Sequence, residues 1–123
     1  MKQLLLVFIG GGIGSALRFL LSRNFNDYFE NFFLGTFIVN IIGSLIIGFV
    51  IGSSVKGNYF SKDQILFLAT GFCGGFTTFS AFAFEKHGLL QSGEILHFAI
   101  YTLSSIFVGI MAIALGLWLS KLI

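Results

Sequence analysis

Charge is what this sequence has least of. Only 10% of its 123 residues are Asp, Glu, Lys or Arg, where soluble domains run near a quarter, so water is not the main solvent it is built to face. The seven basic and five acidic residues are scattered singly and leave a net charge of +2. There is no basic stripe to neutralise phosphates, which excludes nucleic acid as a partner. Proline is absent and cysteine occurs once, as Cys73, so no intrachain disulfide can form; within its apolar run Cys73 reads as a small core residue. His87 and His97 have no Cys or carboxylate pair at metal spacing and are expected to be ordinary interfacial histidines. No nucleophile elbow, phosphate loop or paired catalytic carboxylates occur, and Gly10 to Gly14 follows no strand, so an enzyme is not expected.

What the chain has in plenty is apolar length. Hydrophobic residues make up 56%, with seventeen Phe and sixteen Gly, a composition that suits close helix packing in lipid. Four stretches reach the roughly 20 apolar residues that a hydrocarbon core demands: 4–21, 32–53, 65–84 and 98–120. Only the first contains a charge, Arg18. The expectation is one all-α domain of four transmembrane helices, a multi-pass protein of the inner (plasma) membrane in contact with lipid. Met1 and Lys2 before Leu4–Ile9 look superficially like a signal peptide, but no small-x-small site follows, and the run reads as the first membrane helix.

Four crossings put both termini on one side. That side carries Lys2, Lys56, Lys62 and Lys121, and the other Arg23 and Lys86 with Arg18 nearby, a bias small enough for insertion both ways. Two copies inserted oppositely could pair antiparallel about an axis in the membrane plane.

Small residues recur at close-packing spacing: Gly10 with Gly14, Gly48 with Gly52, Gly71 with Gly75, Ser105 with Gly109. Gly71–Ser80, reading GFCGGFTTFS, falls in the third span, and a glycine pair before two β-branched threonines makes a poor helix centre. Two readings stand: a Gly-rich packing face, or a broken helix offering carbonyls to a cation and amides to an anion. Phe79 and Phe82, three apart, share one face with Thr78 nearby; ring edges are electropositive and can line an anion path without a fixed charge that would hold the ion. Equally, any Phe in such a chain can simply pack.

Asn40 lies near the centre of the uncharged second span with Thr36 and Ser44 one turn to either side. It either donates its NH₂ to an anion or makes an interhelical bond that fixes the bundle. Tyr101, Ser104 and Ser105 place hydroxyls on the fourth helix, as a donor track or as groups that satisfy their own backbone. Arg18 either snorkels to the interface or supplies a field that draws anions into a vestibule, and Glu85 is expected at the interfacial end of the third span.

Three blocks, Gly11–Phe19 (GGIGSALRF), Gly35–Gly48 (GTFIVNIIGSLIIG) and Gly71–Glu85 (GFCGGFTTFSAFAFE), make nearly the whole chain resemble the Fluc, or CrcB, family of fluoride channels. The resemblance implies a dual-topology antiparallel homodimer with two pores, a third helix broken near its centre, and a structural sodium ion (Na+) at the dimer centre held by the carbonyls of Gly74 and Thr77. It further implies fluoride as the permeant ion, with Phe79 and Phe82 as the pore phenylalanines and Asn40 as the pore asparagine. Arg18 becomes the vestibule arginine and Glu85 sits at a pore mouth, while Ser80, Thr78, Ser105 and Tyr101 extend a polar track. Ala81, where the family often has Thr or Ser, and Gly109, one turn after Ser105, shorten that track.

Fluoride is small and strongly hydrated, so a selective pore must replace its water with closely spaced donors. The function the resemblance implies is passive export of fluoride that entered as hydrogen fluoride. The chief alternative is a small four-helix proton-coupled multidrug exporter, which needs a carboxylate inside a membrane helix; Asp27, Glu30, Asp63, Glu85 and Glu94 are all expected at ends or in loops. A membrane assembly subunit without transport is the second.

Overall fold

A computed structural model describes residues 1–123 as helices joined by short connectors. Four of them are long and apolar enough to cross a membrane: Lys2–Phe25, Leu34–Gly57, Lys62–Gln91 and Ile95–Leu122. They are longer than the spans expected from hydropathy. Helical hydrogen bonding does not stop where apolar side chains do, so residues outside the expected spans, such as Lys56 and the Glu85–Gln91 stretch, continue their helices.

The turns between spans have local causes. Asn31 and Asn58 adopt positive φ, 57° and 52°, a conformation Asn tolerates better than most residues, and Asn58 ends the second span as a left-handed cap. Ser61 then starts the third span with a capping box: its hydroxyl accepts from the Gln64 amide, and the Gln64 side chain accepts from the Ser61 amide. Gly93, at φ 76°, makes the last turn.

The first span packs along the first half of the third, and the second along the fourth. Glycine sets both distances. A Cβ on Gly10 would lie 2.5 Å from the Phe67 carbonyl, and one on Gly75 would collide with the backbone of Gly11. Across the other pair, a Cβ on Gly48 would lie 2.5 Å from the Ile113 carbonyl, and Gly116 is pressed against Leu45 in the same way. Three of the expected small-residue pairs thus sit at helix contacts. Gly109 does not, its nearest neighbours being the Ile41 and Ser44 side chains at 4.0 Å.

Only 20 of 123 residues are buried, and the outward surface is apolar. Phe8, Phe19, Phe84, Leu103 and Phe107 are each more than half exposed. Such a surface is stable against lipid, where apolar side chains cost nothing.

The third span is the irregular one. It opens as α-helix over Lys62–Ile65, widens into π-helical turns over Leu66–Cys73, and tightens again over Gly74–Phe76. Thr77 then turns extended (φ −80°, ψ 158°), and α-helix resumes at Ser80–Gln91. The glycines at 74 and 75 stay helical; the departure falls on the β-branched pair behind them.

Candidate functional site

Where a helix ladder is interrupted within a membrane, every freed amide and carbonyl needs another partner. The neighbouring spans supply them. The Cys73 carbonyl closes the first half by accepting from both the Thr77 amide (2.9 Å) and the Thr77 hydroxyl (2.8 Å). Asn40, from the second span, clamps Thr78 at two points: the Thr78 amide donates to Asn40 Oδ1 (2.8 Å), and Asn40 Nδ2 donates to the Thr78 carbonyl (3.1 Å). From the first span, Arg18 Nε donates to the Gly75 carbonyl at 2.9 Å, with Ser15 Oγ at 3.4 Å from the same oxygen. The Thr78 hydroxyl accepts from the Ala81 amide (3.2 Å), capping the second half.

Of the two readings of Asn40, the interhelical one is met in full. One N–H of its amide remains, because a single NH₂ carries two donors. Arg18 likewise spends its Nε on a backbone carbonyl and is half-buried there, instead of snorkelling free. Ser104 satisfies its own helix by donating to the Ile100 carbonyl at 2.6 Å.

A cleft of about 400 Å³ opens beside the interruption. Asn40, Ser44, Thr77, Thr78, Phe79, Phe82 and Ser105 line it, with Gly43, Ala69, Cys73 and Gly74 as its small-residue wall. Seven residues that the resemblance assigns to the site therefore converge: Asn40, Gly74, Thr77, Thr78, Phe79, Phe82 and Ser105. The Phe79 and Phe82 ring centroids are 6.5 Å apart at 55°. Ser105 Oγ is buried without a hydrogen-bond partner, an arrangement that costs free energy. Ser80 is exposed, 3.4 Å from the Thr78 hydroxyl, and lies outside the cleft lining.

Beyond Phe82 the site deepens into a polar knot that sequence reading placed elsewhere. Glu85 is not at the interfacial end of its span: it lies inside the third helix, 9% exposed. Tyr101 donates to its Oε1 (3.0 Å) and Thr36 to its Oε2 (2.8 Å). Asn26 orients Thr36, accepting from its amide at 3.0 Å. Tyr101 is wholly buried and packs edge-on against Phe82, with centroids 5.2 Å apart. Asn26 and Lys86 were missed as partners. The signal for Lys86 was its position four residues after Phe82, one turn on along the same face.

The sequence matches a family model described as "CrcB-like protein, Camphor Resistance (CrcB)" over residues 5–117. The chain belongs to the CrcB family. Among its relatives, a protein of Gloeothece citriformis named "Fluoride-specific ion channel FluC" is 48% identical over 122 residues, covering 98% of each chain. Proteins of the same name from Azobacteroides pseudotrichonymphae (43%, 98% of each) and Phocaeicola vulgatus (44%, 98% of this chain and all of the other) are similar over the same extent. With its four spans, this CrcB member is a multi-pass protein of the inner membrane.

Proposed function

We propose that this protein is a fluoride-selective passive channel that exports cytoplasmic fluoride, working as an antiparallel dual-topology homodimer. The observation that carries this reading is the cleft: two aromatic rings and one spare amide N–H converge there, Ser105 is on its wall, and the wall carries no fixed charge. The identity to relatives named as fluoride channels supports it. Fluoride holds its water tightly, so it enters only where several donors replace that water together. It leaves only if each of them is weak. Ring edges, an amide N–H and single hydroxyls meet both demands. Phe79, Phe82, Asn40, Thr78, Ser80, Ser105 and Tyr101 form the path in this reading, with Arg18 behind the interruption and Glu85 at its far end.

The Phe79 ring is 80% exposed on the single chain and the cleft is open, which favours closure by a second copy. The interruption at Thr77 is then the break around which the copies meet. Gly74 faces open space, where an added Cβ meets nothing within 4 Å, and lines the cleft together with Thr77. Their carbonyls, with those of the second copy, fit a hard monovalent cation that takes oxygen ligands, and sodium bound there would neutralise carbonyl dipoles at the dimer centre.

The test is fluoride efflux from liposomes containing the purified protein, followed with an ion-selective electrode beside chloride-loaded controls. Fast release of fluoride without chloride supports the channel. No release from well-folded dimers refutes it and turns attention to proton-coupled exchange or an assembly role.

A further inference from the structure

Lys86 stands one turn beyond Phe82 inside the third span and is only 8% exposed. A lysine so buried ordinarily pairs with a carboxylate. Lys2 pairs with Asp63 in this chain and His97 contacts Glu94; Lys86 is in neither contact. Both oxygens of the adjacent Glu85 carboxylate accept hydrogen bonds from Thr36 and Tyr101 instead. What the ammonium does face is aromatic: Nζ lies over the Phe82 ring and 5.4 Å from the centroid of Tyr101. A cation on a ring face is attracted by the π density and pulls that density toward itself. The rim of the ring is electropositive already, and it becomes more so.

We propose that Lys86 is a positioning residue for permeation, which tunes Phe82 as a fluoride contact by holding its ammonium on the ring face. The inference rests on the channel reading above. Phe82 lines the cleft and Lys86 does not, so the charge sharpens the rim without becoming a site that traps the anion. Apolar packing alone would leave a methionine as good as a lysine here.

The experiment is a double-mutant cycle in the liposome efflux assay: native protein, Lys86→Met, Phe82→Ile and the pair, each confirmed as a monodisperse dimer. Lys86→Met keeps the stem and removes the charge, and is expected to slow fluoride efflux about tenfold. In the Phe82→Ile background the same change is expected to cost nothing further, because the ring through which Lys86 acts is gone. Native efflux by Lys86→Met, or an equal loss in both backgrounds, overturns the proposal while leaving the channel reading intact. No fluoride efflux from the native protein overturns both. Lys86→Arg, which keeps a cation able to stack on the ring, is expected to retain native efflux, and a tenfold loss in that variant when well folded counts against the proposal even where the methionine variant does not fold.

Discussion

Replacing Asn40 by Ala removes two hydrogen bonds at once, since its amide both accepts from the Thr78 amide and donates to the Thr78 carbonyl. Hydrogen bonds between membrane helices average about 0.6 kcal/mol and reach about 1.7 kcal/mol. The two together are therefore worth about 1 to 3 kcal/mol. The upper half of that range is expected, because Thr78 has already left the helix ladder and its amide and carbonyl have no helical partner to fall back on. In the variant Thr78 seeks other partners, and Phe79 and Phe82 shift with the backbone that carries them. If the same geometry governs permeation, about 2 kcal/mol corresponds to a loss of flux of about thirtyfold. Thermal unfolding in detergent, followed by the monodisperse fraction, reads the first quantity, and liposome efflux reads the second. Asn40→Asp separates the bonds: it keeps the acceptor for the Thr78 amide but sets a carboxylate oxygen against the Thr78 carbonyl. It is expected to lose more flux than the Ala variant, because it also repels an anion. Native stability together with native flux in Asn40→Ala would refute the clamp as a working part.

Phe82→Ile keeps apolar bulk but removes the ring edge, and is expected to lower fluoride efflux by about tenfold or more while the dimer remains monodisperse. Gly75→Val drives a side chain into the Gly11 backbone; overpacking of this kind costs about 1 to 3 kcal/mol, read as a lower unfolding temperature, whereas Gly88→Ala, into open space, is expected to be neutral or stabilising by up to about 1 kcal/mol. Arg18→Lys keeps the charge but not the Nε donor on the Gly75 carbonyl, and loses about 1.5 to 3 kcal/mol of a charge-assisted bond in the same unfolding assay. Exchange of sodium for N-methylglucamine throughout purification and reconstitution is expected to abolish efflux, with recovery on returning sodium; full activity without it would remove sodium from the proposal.

Four helices were legible because apolar length is read directly from sequence, and the glycine pairs at 10, 14, 71 and 75 named the helix contact that they make. The convergence of Asn40, Thr78, Phe79, Phe82 and Ser105 was legible only through the resemblance, since spacing within a span says nothing about which spans meet. Glu85 and Lys86 were misplaced, and Asn26 passed over, for one physical reason. Hydropathy marks the edge of the apolar run, and polar residues at that edge are assigned to water; here they turn inward because Thr36, Tyr101 and Phe82 on neighbouring surfaces can satisfy them. Gly74 and Gly75 mark the irregular region but not its position, because glycine permits a departure without requiring one, whereas Thr77 closes the turn with its own hydroxyl.

The inward Glu85 removes an argument that looked decisive against a proton-coupled exporter, namely that no carboxylate lies within a membrane helix. The distinction now rests on what the carboxylate touches. An exchanging carboxylate must be reached in turn by a proton and by a cationic substrate, and so must give up its protein partners on each cycle. Glu85 has both oxygens held, by Tyr101 and by Thr36, and Thr36 is itself fixed by Asn26. Releasing it would leave two buried hydroxyls unpaired, at about 1 to 3 kcal/mol each, with Lys86 already occupying the aromatic face where a cationic substrate would dock. In an anion path the same arrangement has a different use. The carboxylate fixes the Tyr101 and Thr36 hydroxyls, and Tyr101 in turn packs edge-on against Phe82. Glu85→Gln distinguishes the two: exchange would be abolished with the titrating group, whereas a channel keeps its donors and continues to pass fluoride at a changed rate.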